Sequence, residues 1–237
     1  MKRLAAALLV LIFLLPGCGK EIDETIPNET EKKVSCITVT ILAEEREFGG
    51  YSGAPCTDGQ RGEELVRQVL AQYPAGFAEQ WGPVEILLCG ELTGEGALAG
   101  GHWAAFTQRV GEGWRMVLDV TACDAGTVHH EIAHIIDGIL TRAGVLSEEE
   151  WMEFCPEGFS YGQSGAYPDY FADAYAMTDI REDRARTFED AVRYGPGIYD
   201  GRPALWLKLE YFSRAIRGYF DTTGWPEKTI WELALVD

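Results

Sequence analysis

The stretch "TVHHEIAHIID", Thr127–Asp137, constrains what this chain can fold into more than any other. Within it His130-Glu131-Ile132-Ala133-His134 reads H-E-x-x-H. On an α-helix, residues four apart share a face, so both imidazoles can reach one ion. The same period sends Val128, Ile132, Ile135, Ile136 and Ile139 to a core-facing stripe. The pattern predicts a helix over 125–143, stopped at Gly144, with a site for one Zn2+ ion on its second face. Glu131 can lean over the metal's water and take its proton, because bound zinc lowers that water's pKa to about 7. His129 points about 100° away from His130. It reads as a surface imidazole or one that supports the ligands, and His102 as a packing or groove residue in a strand.

Catalytic zinc usually takes three protein ligands plus water. An extension with glycine at position 137 and histidine at 140 is excluded, because Asp137 and Leu140 stand there. The next source is a carboxylate on a later helix. "YPDYFADAYAM", 167–177, offers Asp169 and Asp173 one turn apart. One of them could bind the ion while the other holds a ligand imidazole in its tautomer, a role open also to Asp137, one turn after His134.

Around this helix the chain changes character. "SCITVTIL" (35–42), "PVEILLC" (83–89) and a hairpin of "GGHWAAFTQRV" with "WRMVLDV" read as strands. A helix is expected over 63–73, a short capped one from Ser147, and others over 168–180, 182–194 and 204–220. Strands come first and helices follow, so the expected class is α+β: a small mixed or antiparallel sheet packed on the active-site helix, then a helical C-terminal half.

The N-terminus reads as targeting. Lys2 and Arg3 precede a twelve-residue apolar run, "LAAALLVLIFLL", too short to span a bilayer comfortably. It leads into "LPGC", which resembles the lipobox of bacterial lipoproteins. The resemblance implies removal of residues 1–17 and lipidation of Cys18, hence an extracytoplasmic, membrane-anchored protein. Residues 18–34 read as a flexible acidic tether and 35–237 as the catalytic domain. Cys36, Cys56, Cys89, Cys123 and Cys155 then lie where disulfides can form, with Cys36–Cys56 and Cys89–Cys123 the plausible pairs on separation.

Net charge is −18, and loss of Lys2 and Arg3 with the leader takes it to −20. Such a surface repels nucleic acid and anionic lipid, and favours neutral or basic partners. The expected partner is a peptide or protein substrate, engaged by a monomer with no nucleic acid.

Three segments together resemble the catalytic domain of anthrax lethal factor and related secreted zinc peptidases of the gluzincin type. "HEIAHIID" (130–137) is similar to that family's H-E-x-x-H-x-x-D helix, Ser160-Tyr161-Gly162 to its S-Y-G loop, and "DYFADAY" (169–175) to its acid-aromatic helix. The resemblance implies a zincin-like fold and a zinc endopeptidase. It implies Asp169 as third ligand, Asp173 in the outer shell, and Tyr161 facing the substrate carbonyl. Two departures leave Asp173 open as ligand and Tyr167 as the substrate-facing tyrosine: the family's glutamate is an aspartate here, and the spacing from tyrosine to acid is one residue longer. A zinc-binding lipoprotein without activity, and a hydrolase of non-peptide amides, are the alternative functions.

Overall fold

The computed structural model describes residues 37–94 and 101–236. The leader, Cys18, the tether and Cys36 lie outside the described residues, as do Ala99 and Gly100. Among the described residues no helix is long and apolar enough to cross a membrane.

The main sheet has four strands: β1 (Ile37–Ile41), β4 (Val84–Cys89), β7 (Gly113–Asp119) and β6 (Ala105–Val110), in that order. β1, β4 and β7 run parallel, and β6 turns back antiparallel on β7 through Gly111 and Glu112. Gly111 takes φ 59°, the left-handed conformation such a tight turn needs. A second sheet joins β2 (Arg46–Glu47), β3 (Tyr51–Gly53) and β5 (Leu92–Gly94). The central strands β4 and β7 are buried almost throughout, as their apolar runs require.

Helices α1 (Gly59–Leu70), α2 (Ala125–Arg142), α3 (Glu148–Met152), α4 (Ile180–Tyr194) and α5 (Pro203–Tyr219) complete the α+β architecture. α2 begins where Asp124 and Thr127 exchange side-chain and backbone hydrogen bonds across the first turn. It ends at Gly144, φ 70°, with the Val145 N–H bonded to the Leu140 carbonyl. Val128, Ile132, Ile135 and Ile136 are at most 1% exposed. Each such side chain contributes roughly 1.5–3 kcal/mol of apolar burial, so α2 is held mainly by this stripe. Gly138 allows one further close approach. A Cβ there would lie 2.2 Å from the Trp114 ring, so only glycine lets β7 press its indole onto the helix.

One expected element is absent. Residues 168–179 form successive turns and not a helix. The reason is competition for carbonyls. Arg202 of the loop entering α5 donates to Pro168 O and Phe171 O, and Lys208 of α5 donates to Tyr170 O. Those acceptors would otherwise bond amides four residues on. The cysteines also depart from expectation. Cys56, Cys89, Cys123 and Cys155 are free thiols, so no Cys89–Cys123 bridge forms. Cys89 Sγ donates instead to Leu118 O at 3.3 Å. Burial pushes the Cys89 thiol up to about 12 and that of Cys123 to about 11, which keeps both protonated and unreactive.

Candidate metal centre

α2 presents His130 and His134 with their ring centroids 4.7 Å apart and their planes at 87°. α4 packs along α2 and brings Glu182, in its first turn, against both. Glu182 Oε2 lies 3.0 Å from His130 Nε2 and 3.5 Å from His134 Nε2. These three residues could hold a metal ion. The separations bear on the fit. Zinc–ligand bonds of about 2.0–2.1 Å at tetrahedral angles put ligand atoms roughly 3.3–3.4 Å apart. The two measured distances bracket that value, and two imidazoles with one carboxylate are a donor set suited to zinc.

The carboxylate and imidazoles perturb one another. Burial opposes charge on His130, but hydrogen bonds to Glu182 and Glu189 outweigh it and carry the pKa to about 9. Burial would raise Glu182, yet hydrogen bonds from His130 and His134 hold it far below the usual carboxylate range. Glu131 faces the same cleft and is 5% exposed. Its Oε2 is buried without a hydrogen-bond partner, as expected of an acceptor whose partner arrives with a metal's water or a substrate.

Glu189, two turns after Glu182 on α4, approaches His130 from the other side, with Oε2 3.2 Å from Nδ1. Arg186 and Arg193 pair with Glu189, and against burial the His130 hydrogen bond and the Arg186 guanidinium hold its carboxyl below the usual range. A proton kept on Nδ1 by Glu189 leaves Nε2 as the ligand atom. Loss of that anchor in Glu189→Gln should weaken zinc binding about tenfold, the lower end of the 10–100-fold range for such supports. Competition with a chromogenic chelator would measure it, and an unchanged Kd would show that Glu189 does not orient the ligand.

The other sequence-derived candidates lie elsewhere. Asp169 is exposed in the turn region and does not belong to the metal group. Asp173 accepts from the Ala176 N–H at 2.9 Å and pairs with Arg186 at 2.8 Å, so its carboxylate is already committed. Once 168–179 is not a helix, the two acids no longer share a face. The Tyr161 hydroxyl donates to the buried Asp183 at 2.7 Å, within a network that includes Lys208 and Trp151, and not into the metal group. Tyr167 packs on Phe159 and Phe171. Tyr175 lies beside the metal group, with its ring centroid 6.2 Å from that of His130, and it lines the same cleft as Glu182.

Comparison with family models, curated proteins and solved structures gave no match for this chain.

Asp137 is 3% exposed and accepts from Arg184 at 2.8 Å and from Thr141 at 3.3 Å, so its partner is a guanidinium and not an imidazole. His129 is not a surface residue. It is buried with Nδ1 2.8 Å from the Tyr73 hydroxyl, and burial drives its pKa down to about 4. His102 pairs with Glu91 at the exposed edge of the second sheet. Glu182 and Glu189 left a trace in the sequence: two glutamates seven apart, two helical turns, on one face of an amphipathic helix.

Proposed function

We propose that this protein is a zinc-dependent endopeptidase with a zincin-like fold, whose metal ligands are His130, His134 and Glu182. One observation carries the reading: two imidazoles and a carboxylate gather their donor atoms within 4.8 Å of one another, the carboxylate 3.0 and 3.5 Å from the two rings, beside a buried glutamate oxygen that has no partner. Similarity of the α2 motif to lethal factor-like peptidases supports it, with Glu182 in place of Asp169 as third ligand. A Zn2+ ion held there would supply Lewis-acid polarisation and an acidified water.

The chain's own residues do the rest. Glu131 accepts a proton at Oε2 and returns it to the leaving amine. Tyr175, beside Glu182 in the cleft and 45% exposed, swings its hydroxyl onto the substrate carbonyl oxygen as negative charge builds there. The phenol suits donation and not acceptance: burial first, then the nearby carboxylates of Glu182 and Glu131, raise its pKa. β6 ends the main sheet and lines the cleft, with Thr107 Oγ1 3.4 Å from Glu131 O. Its outer edge can pair with an extended peptide and carry the scissile bond past Glu131. The resemblance of "LPGC" to a lipobox supports an extracytoplasmic, membrane-anchored location for this activity, through a lipid on Cys18.

The test is cleavage of a peptide mixture by the zinc-loaded protein, abolished by chelation and restored by zinc. Tight zinc binding without cleavage of peptides would sink the endopeptidase. Cleavage of cell-wall amides alone would redirect it to a non-peptide substrate. Tyr175→Phe should lower kcat about tenfold with KM little changed, because the metal carries most of the oxyanion charge. Tyr161→Phe should perturb stability and leave kcat of the folded protein unaltered.

A further inference from the structure

The cleft holding the metal group encloses about 590 Å³, and its two ends differ in chemistry. Near Glu131 and Glu182 the wall is aromatic: Tyr51 stacks on Phe106 at 4.2 Å and meets Trp103 edge-on at 5.6 Å. The far end is cationic. Arg109 sits opposite Trp114 in the β6–β7 register, Trp114 presses on Gly138, and Arg142 follows one turn later on α2. These contacts bring Arg109 and Arg142 to one end of the same cleft, and both line it.

The acids of the cleft are mostly engaged. Glu182 belongs to the metal group, Glu131 faces it as the proposed proton acceptor, and Asp137 is paired with Arg184. Arg181 also lines the cleft and is paired with Asp179. Among the described residues Arg109 pairs only with Glu112, at 3.3 Å, a partner that is 92% exposed and so a weak one. Arg142 has no ion pair among the described residues. Glu148 is the remaining carboxylate among the described residues that line the cleft. In a chain with 38 acids and 20 bases, two undercommitted guanidiniums facing one groove stand against the general field.

We propose that this end of the cleft is a subsite for an acidic side chain of the substrate. The inference rests on the peptidase reading and adds a substrate class to it: extended peptides with aspartate or glutamate at a set distance from the scissile bond. Arginine forks bind carboxylates with paired, charge-assisted hydrogen bonds. The distance follows from the helix. Arg142 lies eight residues beyond His134, about 12 Å along the axis. An extended peptide advances roughly 3.3 Å per residue, so the acid falls three or four residues from the cleaved bond, on one side only. The general acidic surface would reject such a peptide elsewhere, which makes this groove the place where it docks.

The test reads binding as well as turnover. Zinc-loaded Glu131→Gln protein is titrated with fluorescein-labelled peptides of Ala, Ser and Phe that differ at one position. Glutamate, glutamine or lysine is set three or four residues before or after the central Phe. Glutamate on one side should bind about tenfold more tightly than glutamine, and lysine more weakly than either. The preference should vanish in Arg109→Gln/Arg142→Gln, whose exposed side chains can be changed without disturbing the core. Equal affinity for glutamate and glutamine, a preference that survives the double variant, or no peptide binding would overturn the subsite. Cleavage by the parent protein without acid preference would remove the subsite and leave the peptidase. Acid-selective binding with no cleavage of any peptide would remove the peptidase and leave the subsite.

Discussion

Replacing Glu131 with glutamine should reduce kcat for peptide hydrolysis by about 10²–10⁴-fold, the range for loss of a positioned proton acceptor. KM and zinc affinity should hardly move. Glutamine keeps the shape of the side chain and removes only its basicity, and Glu131 is not one of the three residues of the metal group. Stability offers an independent check. Glu131 is 5% exposed and one of its oxygens has no partner, so a carboxylate is held there at a cost that a neutral amide reduces. The variant should therefore melt no lower than the parent. An active site strained for its task predicts this combination of lost turnover and retained stability, whereas a purely structural glutamate predicts the reverse. Retention of more than about a tenth of the parent kcat would move the base to another residue, because no lesser effect fits general-base catalysis.

What could be read from the sequence divides along physical lines. α2 was legible from both ends to the middle. Its apolar stripe, Gly144 stop and paired histidines are local features, set within a few residues by the helix period. β4, the β6–β7 hairpin, α4 and α5 were legible for the same reason. The parallel order β1-β4-β7 was not, since strand alternation does not encode which neighbour a strand chooses. The place of Glu182 in the metal group was not legible for a similar reason. "DYFADAY" has helical composition, and nothing within it announces that Arg202 and Lys208, more than thirty positions on, take its carbonyls. The partner of Tyr161 was hidden in the same way: an S-Y-G loop says nothing of a buried Asp183–Lys208 pair that takes its hydroxyl. The cleft arginines follow the same rule, being separated by 33 positions and joined only through Trp114 and Gly138.

The choice between Glu182 and Asp169 has the second large consequence. Zinc held by a complete set of donors binds with about 10–16 kcal/mol, so each of four donors carries roughly 3 kcal/mol. Glu182→Ala should therefore raise the zinc Kd by about 10²–10³-fold, and Asp169→Ala should leave it within about twofold. Glu182→Gln separates charge from shape: an amide oxygen can still approach the ion but lacks the anion, so its loss should fall between those limits. Two structural facts set the asymmetry. Glu182 touches both imidazoles through one oxygen, whereas Asp169 lies in a run of turns whose carbonyls are tied to α5. For Asp169 to replace Glu182, that run would have to rewind into a helix. Arg202 and Lys208 would then surrender three carbonyl acceptors, and Lys208, fully buried, would keep only Asp183. A buried ammonium that loses one of its hydrogen-bond acceptors costs about 1–3 kcal/mol, which opposes the change. If zinc affinity instead collapses in Asp169→Ala and survives in Glu182→Ala, the cost has been met, and the turns at 168–179 give way to a helix when metal binds. Amide hydrogen exchange over those residues, with and without zinc, would register that transition directly: new protection confined to 168–179 marks the rewound helix, and unchanged exchange there leaves Glu182 as the ligand.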